Sequence, residues 1–353
     1  MPMTSLQKMG GALTSVPAIN ANFEELYADY GIASGNPWAT KRYVDGTNGT
    51  DTNDGLTPSK SFKTIQAAIN ASARGDRVLI RPKECNTAAG ETDPGSYEEN
   101  ITITAKDGLQ LIGIGRGITQ GGQPQLKVGA TTTDPIITVN SFGVGIHNLS
   151  VNGSGATGGG IKLVTSAASS YDAGGLVVSG CHFKNAKGSA AAATGGAIWW
   201  STDGGCWNVD ISNCDFHNCR GGIIMPGTGR SIPQDVKIRG CRFYATANTT
   251  TDADIYVAAD GIIGLVISDC DFGTVDVPAY ATSPTAARYI SLGAGTAGII
   301  ARCTFACITD STGSEKTFGA AGTGAIFPTT VRMAGCWGEG LVASAHLALV
   351  GRT

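Results

Sequence analysis

Cleaving a polysaccharide needs two carboxyl groups at a set separation, one an acid and the other a base or nucleophile. Two aspartates in this 353-residue chain have spacing that could supply them. Asp203 and Asp260 each stand five residues after the isoleucine, Ile198 or Ile255, that begins an apolar triplet. The middle residue of each triplet is aromatic, Trp199 or Tyr256, and a sugar face could stack on either ring. If the triplets lie two strands apart in a stack, the carboxyls stand roughly 9–10 Å apart, near the separation for inverting hydrolysis. Asp203 and Asp260 are therefore the expected catalytic pair if the chain is an enzyme, with Trp199 and Tyr256 as glycan-binding residues. Loop aspartates are also ordinary turn formers, and exposed aromatics also pack against neighbouring subunits, so structural roles stay open.

Other chemistries find less support. His147, His182, His217 and His346 share no metal-ligand spacing, and each is expected at a solvated surface or turn. Residues 113–117, Gly-Ile-Gly-Arg-Gly, fall on a bend and strand and not before a helix, which argues against a dinucleotide site. Asp51, Asn53 and Asp54 lie in a polar cluster with no Glu to close a calcium loop, so they are expected to make turns. No metal or cofactor is expected. A net charge of −3 with no Lys/Arg run argues against nucleic acid, and no apolar run is long enough for membrane insertion. The N-terminus lacks the basic-then-apolar pattern of a secretory signal.

The elements that must hold these residues come from a repeat. Residues 209–216 contain Val209, Ile211, Asn213, Cys214 and Phe216, an alternating pattern broken by one residue type that tolerates positive φ. The apolar position two before the bend recurs at Leu111, Ile146, Val178, Ile211, Ile238, Ile267, Ile300 and Met333, in steps of 35, 32, 33, 27, 29, 33 and 33 residues. The bend itself is Gly113, Asn148, Gly180, Asn213, Gly240, Asp269, Arg302 and Gly335, with Arg302 the one departure from Gly, Asn or Asp. Such steps are too short for a domain and suit one coil of a β-solenoid. Each coil has a third strand, an apolar triplet such as Ile161–Leu163 or Ile198–Trp200, with its middle residue outward. That outward column (Lys162, Trp199, Ile224, Tyr256, Ser291, Phe327) is largely apolar and is expected to need a neighbour or a ligand.

Six of the ten cysteines (Cys181, Cys214, Cys241, Cys270, Cys303, Cys336) share one repeat position, filled by Ile114 and Leu149 in earlier copies. Exchange with Ile and Leu marks an inward site, so these are expected to be buried free thiols. Cys85, Cys206, Cys219 and Cys307 lie off that column. Phe183, Phe216, Phe243, Phe272 and Phe305 form a second inward column, and His182, Asp215, Arg242 and Asp271 an outward one of cross-strand charge pairs. About nine coils are expected, which at strand spacing is roughly 40 Å of solenoid. An amphipathic helix over 62–73, with Phe62, Ile65, Ala68 and Ile69 on one face, is placed to cover its open end. Val16, Ile19, Phe23, Leu26 and Tyr30 make a short helical seam near the N-terminus.

Residues 54–70 (Asp-Gly-Leu-Thr-Pro-Ser-Lys-Ser-Phe-Lys-Thr-Ile-Gln-Ala-Ala-Ile-Asn), followed by 75–82 and the later Ile-Ser-Asn-Cys-Asp-Phe coils, resemble the pectin-lyase-like right-handed parallel β-helix. Such openings are frequent in bacteriophage tailspike and tail-fibre proteins. The resemblance covers roughly residues 40–340. It implies an all-β fold: residues 1–37 a helical virion-attachment segment, 38–75 an entry turn cluster and capping helix, 76–340 the parallel β-helix, and 341–353 a C-terminal tail. It further implies a homotrimer that attaches to other virion proteins through residues 1–37, contacts host surface polysaccharide and is made in the host cytoplasm. A polysaccharide-degrading enzyme on the same scaffold, a glycoside hydrolase or lyase, is the alternative.

Overall fold

In the computed structural model the described residues are 39–83, 95–115, 122–154, 158–164, 173–186, 195–201, 206–217, 219, 221–226, 233–244, 253–258, 261–273, 288–306 and 330–339. The N-terminal seam, Asp203, Asp260, Cys85, Cys307, Phe327, His346 and the C-terminal tail lie outside them.

The chain winds as a right-handed parallel β-solenoid with three sides, each a parallel sheet. Sheet 1 has ten strands, sheet 2 nine and sheet 3 seven. Sheet 1 holds the strands before the bend, such as Val177–Ser179, Asp210–Ser212 and Lys237–Arg239. Sheet 2 holds those after it, such as His182–Lys184, Asp215–His217 and Arg242–Tyr244. Sheet 3 holds the apolar triplets, including Ile161–Leu163, Ile198–Trp200 and Ile223–Met225.

The register follows the repeat residue for residue. Leu111 pairs with Ile146, Ile146 with Val178, and the series continues through Ile211, Ile238, Ile267 and Ile300 to Met333. The seven strands of sheet 3 bound six complete turns, so the fully three-sided solenoid is shorter than the nine coils expected. Sheets 1 and 2 continue beyond it, but their outer turns lack a described third strand. At the entry the chain turns into a helix instead of a triplet, and at the far end residues 307–329 lie outside the described set.

The bends are what the residue types require. Asn148, Gly180, Asn213, Gly240, Asp269, Arg302 and Gly335 all have φ between 52° and 61°. Arg302 thus takes the left-handed conformation despite its side chain, and its guanidinium bonds Asp269 one coil back at 2.6 and 2.7 Å. Gly113 does not take this conformation, and the positive φ falls instead at Gly115. The shift turns Ile114 outward to 47% exposure, which corrects its expected inward place in the cysteine column. A second left-handed column precedes sheet 1: Gly108, Gly143, Gly175, Asn208, Asp235 and Gly264. Each stands immediately before the first inward residue of its strand.

The core is columnar. Phe183, Phe216, Phe243, Phe272 and Phe305 are stacked ring on ring, with centroids 4.7–5.0 Å apart and planes within 12° of parallel. Cys181, Cys214, Cys241, Cys270 and Cys303 are buried free thiols, and Cys336 is half-buried at the end of the column. Off-column Cys206 and Cys219 are buried free thiols as well. The Sγ of each column cysteine points at carbonyls, as Cys214 does at Ser212 O, 3.3 Å.

Before the coils, the strand Lys41–Val44 pairs with Arg77–Ile80, an element the polar character of that region concealed. The helix α1 covers Ile65–Ala71 and is shorter than the 62–73 expected. Thr64 caps it by accepting from Ala67 N, so Phe62 falls outside the helix and bridges to Val44. Glu99 accepts from the free N–H groups of Ile65 and Gln66, both at 2.9 Å. Gln66 in turn pairs its side-chain amide with Thr102 N and O, at 2.7 and 3.2 Å. It thereby substitutes for a strand along the edge of sheet 3. The acidic turn residues make turns: Asp51 accepts from Lys63 N and Thr64 N, and Asp54 from Leu56 N.

Candidate functional site

The triplets expected to carry the catalytic aspartates lie as the spacing requires. Ile198 pairs with Ile223 and Ile223 with Ile255, so the two triplets are two strands apart. Asp203 and Asp260 themselves lie outside the described residues. Trp199 is 8% exposed, its Nε1 donates to Gly158 O at 3.1 Å, and the Lys162 ammonium lies 5.0 Å from its ring centre. Ile224 is 3% exposed and Tyr256 half-buried. The outward column of sheet 3 is thus largely covered by the chain's own backbone, which corrects the expectation of an open apolar face. Glycine is the physical reason. A Cβ at Gly159 would lie 3.1 Å from Trp199 Nε1, and one at Gly196 or Gly221 within 2.9 Å of the Ile224 side chain. Bare backbone fits there and leaves no gap.

The outer face of sheet 1 holds a connected polar group that sequence reasoning missed. His147 and Ser179 are register partners in adjacent coils, and Gln110 belongs to the coil before. The Gln110 amide nitrogen donates to Gly108 O at 2.9 Å, which leaves its Oε1 facing His147 Nε2 at 2.9 Å. An acceptor at that position assigns the ring proton to Nε2. The Nδ1 lone pair then accepts from the Ser179 hydroxyl, 2.7 Å away. Gly145 makes the arrangement possible, because a Cβ there would meet Gln110 Oε1 at 1.9 Å and His147 Nε2 at 2.4 Å.

Contrary to the solvated role expected of it, His147 is 1% exposed, and burial pushes its pKa down to about 4. The ring is neutral at pH 7 with its lone pair on the serine side. Ser179 is half-buried and reaches the surface. In the next coils of the same face, Arg239 bonds Asp210, which draws its guanidinium toward the coil beside Ser179. A histidine met alone in the sequence gives no sign of these partners; only the 37- and 32-residue separations, close to one coil each, could have suggested them.

One edge of sheet 1 carries a row of residues two positions before each first inward residue: Asp107, Phe142, Gly174, Trp207, Gln234 and Ile263. Phe142 and Trp207 are 40% and 49% exposed, and their rings touch with centroids 5.4 Å apart, tilted 50°. Gly174 and Gly175 occupy the coil between them. A Cβ at Gly175 would already press the Phe142 ring at 3.2 Å, so the paired glycines let the two rings meet across a whole coil. Phe142 N is held by Asp107 Oδ1 at 3.1 Å, and Trp207 bridges to Gln234.

No family model and no curated protein matches this chain. Solved structures do. Escherichia coli YbhC is 12% identical, with 88% of each chain covered and a TM-score of 0.46. Pectin methylesterase PemA from Erwinia chrysanthemi is 13% identical, covering 88% of this chain and 92% of its own, with a TM-score of 0.42. The GH136 lacto-N-biosidase from Eubacterium ramulus is 12% identical, covering 91% of this chain and 69% of its own, with a TM-score of 0.41. The fold is a parallel β-helix. At these identities the likeness concerns fold alone.

Sheet 2 carries the charge ladder on its outer face. His182, Asp215, Arg242 and Asp271 pair in register, and Arg242 forks onto Asp215 at 2.6 and 3.1 Å. That fork, with the Asp215 charge, raises the Arg242 pKa, and Asp271 bonds Thr304 in the following coil. Within this column the one ion pair among the described residues is Arg242–Asp215, partly exposed to solvent. His182 differs from the surface residue expected: it is 6% exposed, its Nδ1 has no hydrogen-bond partner, and burial pushes its pKa down to about 4. Among the described residues no cluster of three or more His, Cys, Asp or Glu is placed to hold a metal ion. No helix among them is long and apolar enough to cross a membrane.

Proposed function

We propose that the protein recognises polysaccharide along the flank of its β-helix, as the glycan-contacting part of a tailspike-like virion protein. The observation that carries this reading is the exposed Phe142–Trp207 pair on the edge of sheet 1. Two rings that meet across an intervening glycine coil of a rigid stack offer an apolar platform at little entropic cost, and Asp107 and Gln234 on the same row offer hydrogen-bond partners for hydroxyls. The resemblance of residues 54–82 to spike entry segments supports the virion setting. In that setting residues 1–37 attach to other virion proteins, three copies assemble, and host surface polysaccharide is the ligand.

The test is a microarray of bacterial surface polysaccharides probed with the full chain and with Trp207→Ala. Loss of one stacking face and its burial is worth on the order of 1.5–3 kcal/mol. Affinity for any glycan bound by the wild type should therefore fall about tenfold or more. Equal binding by the two proteins refutes the platform.

Polysaccharide cleavage is the second reading, favoured by the register that sets Ile198 and Ile255 two strands apart. In that reading Asp203 and Asp260 are the acid and the base. Full degradation of a host polysaccharide by the Asp203→Asn, Asp260→Asn double variant would end it.

A further inference from the structure

We propose that Gln110, His147 and Ser179 form a serine-nucleophile site that hydrolyses O-acyl esters presented to the outer face of sheet 1. This goes beyond glycan recognition and stands on separate residues. The geometry is that of a nucleophile, its base and the group that orients the base. The Ser179 hydroxyl lies 2.7 Å from His147 Nδ1, and His147 Nε2 lies 2.9 Å from Gln110 Oε1. The direction of each hydrogen bond follows from the one before. Gly108 O and, at 3.5 Å, Gly143 O accept from the Gln110 amide nitrogen, Gln110 Oε1 takes the proton on Nε2, and Nδ1 is left bare toward the hydroxyl.

A structural network needs no such polarity at its outer end, and Ser179 is half-buried, within reach of solvent without being open to it on all sides. Burial keeps the imidazole uncharged in neutral solution, with its lone pair on the Ser179 side.

The steps balance within the chain and water. Ser179 Oγ bonds to the ester carbonyl carbon while its proton passes to His147 Nδ1. The tetrahedral intermediate collapses by breaking the acyl C–O bond, and the alcohol leaves with the proton from Nδ1. Water gives a proton to the same nitrogen as it attacks the acyl-serine, the carboxylic acid departs, and Ser179 recovers its proton. Gln110 touches no reacting atom and acts as a positioning residue that holds the tautomer. An O-acyl ester is the substrate class because a neutral hydroxyl–imidazole–amide chain suits attack on a carbonyl. Glycoside cleavage would instead need a carboxyl pair.

The experiment uses the full chain with a fluorophosphonate probe, followed by peptide mass mapping, and with 4-nitrophenyl acetate turnover. We expect the adduct on Ser179 and a turnover that falls about 10²-fold or more in Ser179→Ala. Ser212→Ala, the next coil of the same column, should match the wild type. Gln110→Ala should lower kcat with KM unchanged, a split that a merely structural role would not produce. A probe adduct absent from Ser179 in the folded wild type overturns the proposal without any variant. So does turnover in folded Ser179→Ala equal to that of the wild type.

Discussion

Phe243 sits in the middle of the ring stack, and replacing it with alanine tests whether the stack holds the solenoid together. The side chain is 1% exposed, with Phe216 at 4.7 Å on one side and Phe272 at 4.8 Å on the other, both within 4° of parallel. Truncating a buried phenylalanine costs about 3–5 kcal/mol in transfer and cavity terms. Two ring pairs, each adding about 0.5–1.5 kcal/mol, place Phe243→Ala at the upper end of that range. The surroundings cannot relax into the hole easily, because the Gly222 backbone already packs so closely that a Cβ there would stand 2.7 Å from the Phe243 ring. Phe183 gives the internal comparison. It is equally buried but among the described residues has one ring neighbour, Phe216 at 5.0 Å, and its partner on the other side is Val151. Phe183→Ala should cost less than Phe243→Ala by about 1 kcal/mol, the worth of one ring pair. Urea unfolding of both variants, with unchanged m-values, reads the difference as a shift in midpoint. Equal midpoints for the two variants, or a Phe243→Ala cost under about 1 kcal/mol, would refute the reasoning that stacking across coils stabilises this fold.

Two other measurements follow from the core. His147 and His182 are both buried with pKa values pushed down to about 4, so the folded state binds fewer protons than the unfolded chain between roughly pH 4 and 6.5. Their contribution is fully present above pH 6.5 and is lost as pH falls toward 4, by about 3 kcal/mol for each ring as an order of magnitude. Melting temperature should drop steeply over that window, and the drop should shrink in a His147→Gln, His182→Gln double variant; an unchanged profile would contradict the burial of both rings. For the cysteine column, iodoacetamide on the native protein should modify half-buried Cys336 before Cys181, Cys214, Cys241, Cys270 and Cys303, which should react only after denaturation. Peptide mass mapping distinguishes the orders of reaction.

The repeat was legible because each coil must satisfy the same local demands. An inward position two before the bend must be apolar, and the bend itself must reach positive φ, so Ile, Leu, Val and Gly, Asn, Asp recur at these places. That logic also explains Arg302, which keeps the bend against its own preference while bonding Asp269. A second bend column, Gly108 to Gly264, carried the same signal and could have been found by aligning one residue further upstream. The outward residues were harder. Trp199 and Ile224 look like an open apolar face in sequence, but glycine loops of no fixed period close over them.

The candidate site shows the division most clearly. Composition and spacing determine that residues one coil apart become neighbours, so the stacked phenylalanines, the thiol column and the Asp215–Arg242 pair are all consequences of the repeat. Which outward residues become buried, and which donor meets which acceptor there, is decided by packing across coils. Gly145 leaves the space in which Gln110 reaches His147, and Gly174 and Gly175 leave the space in which Phe142 meets Trp207. An absent side chain has no signature of its own along the chain. Its effect exists only once three coils are stacked and the gap it leaves is filled from the turns above and below.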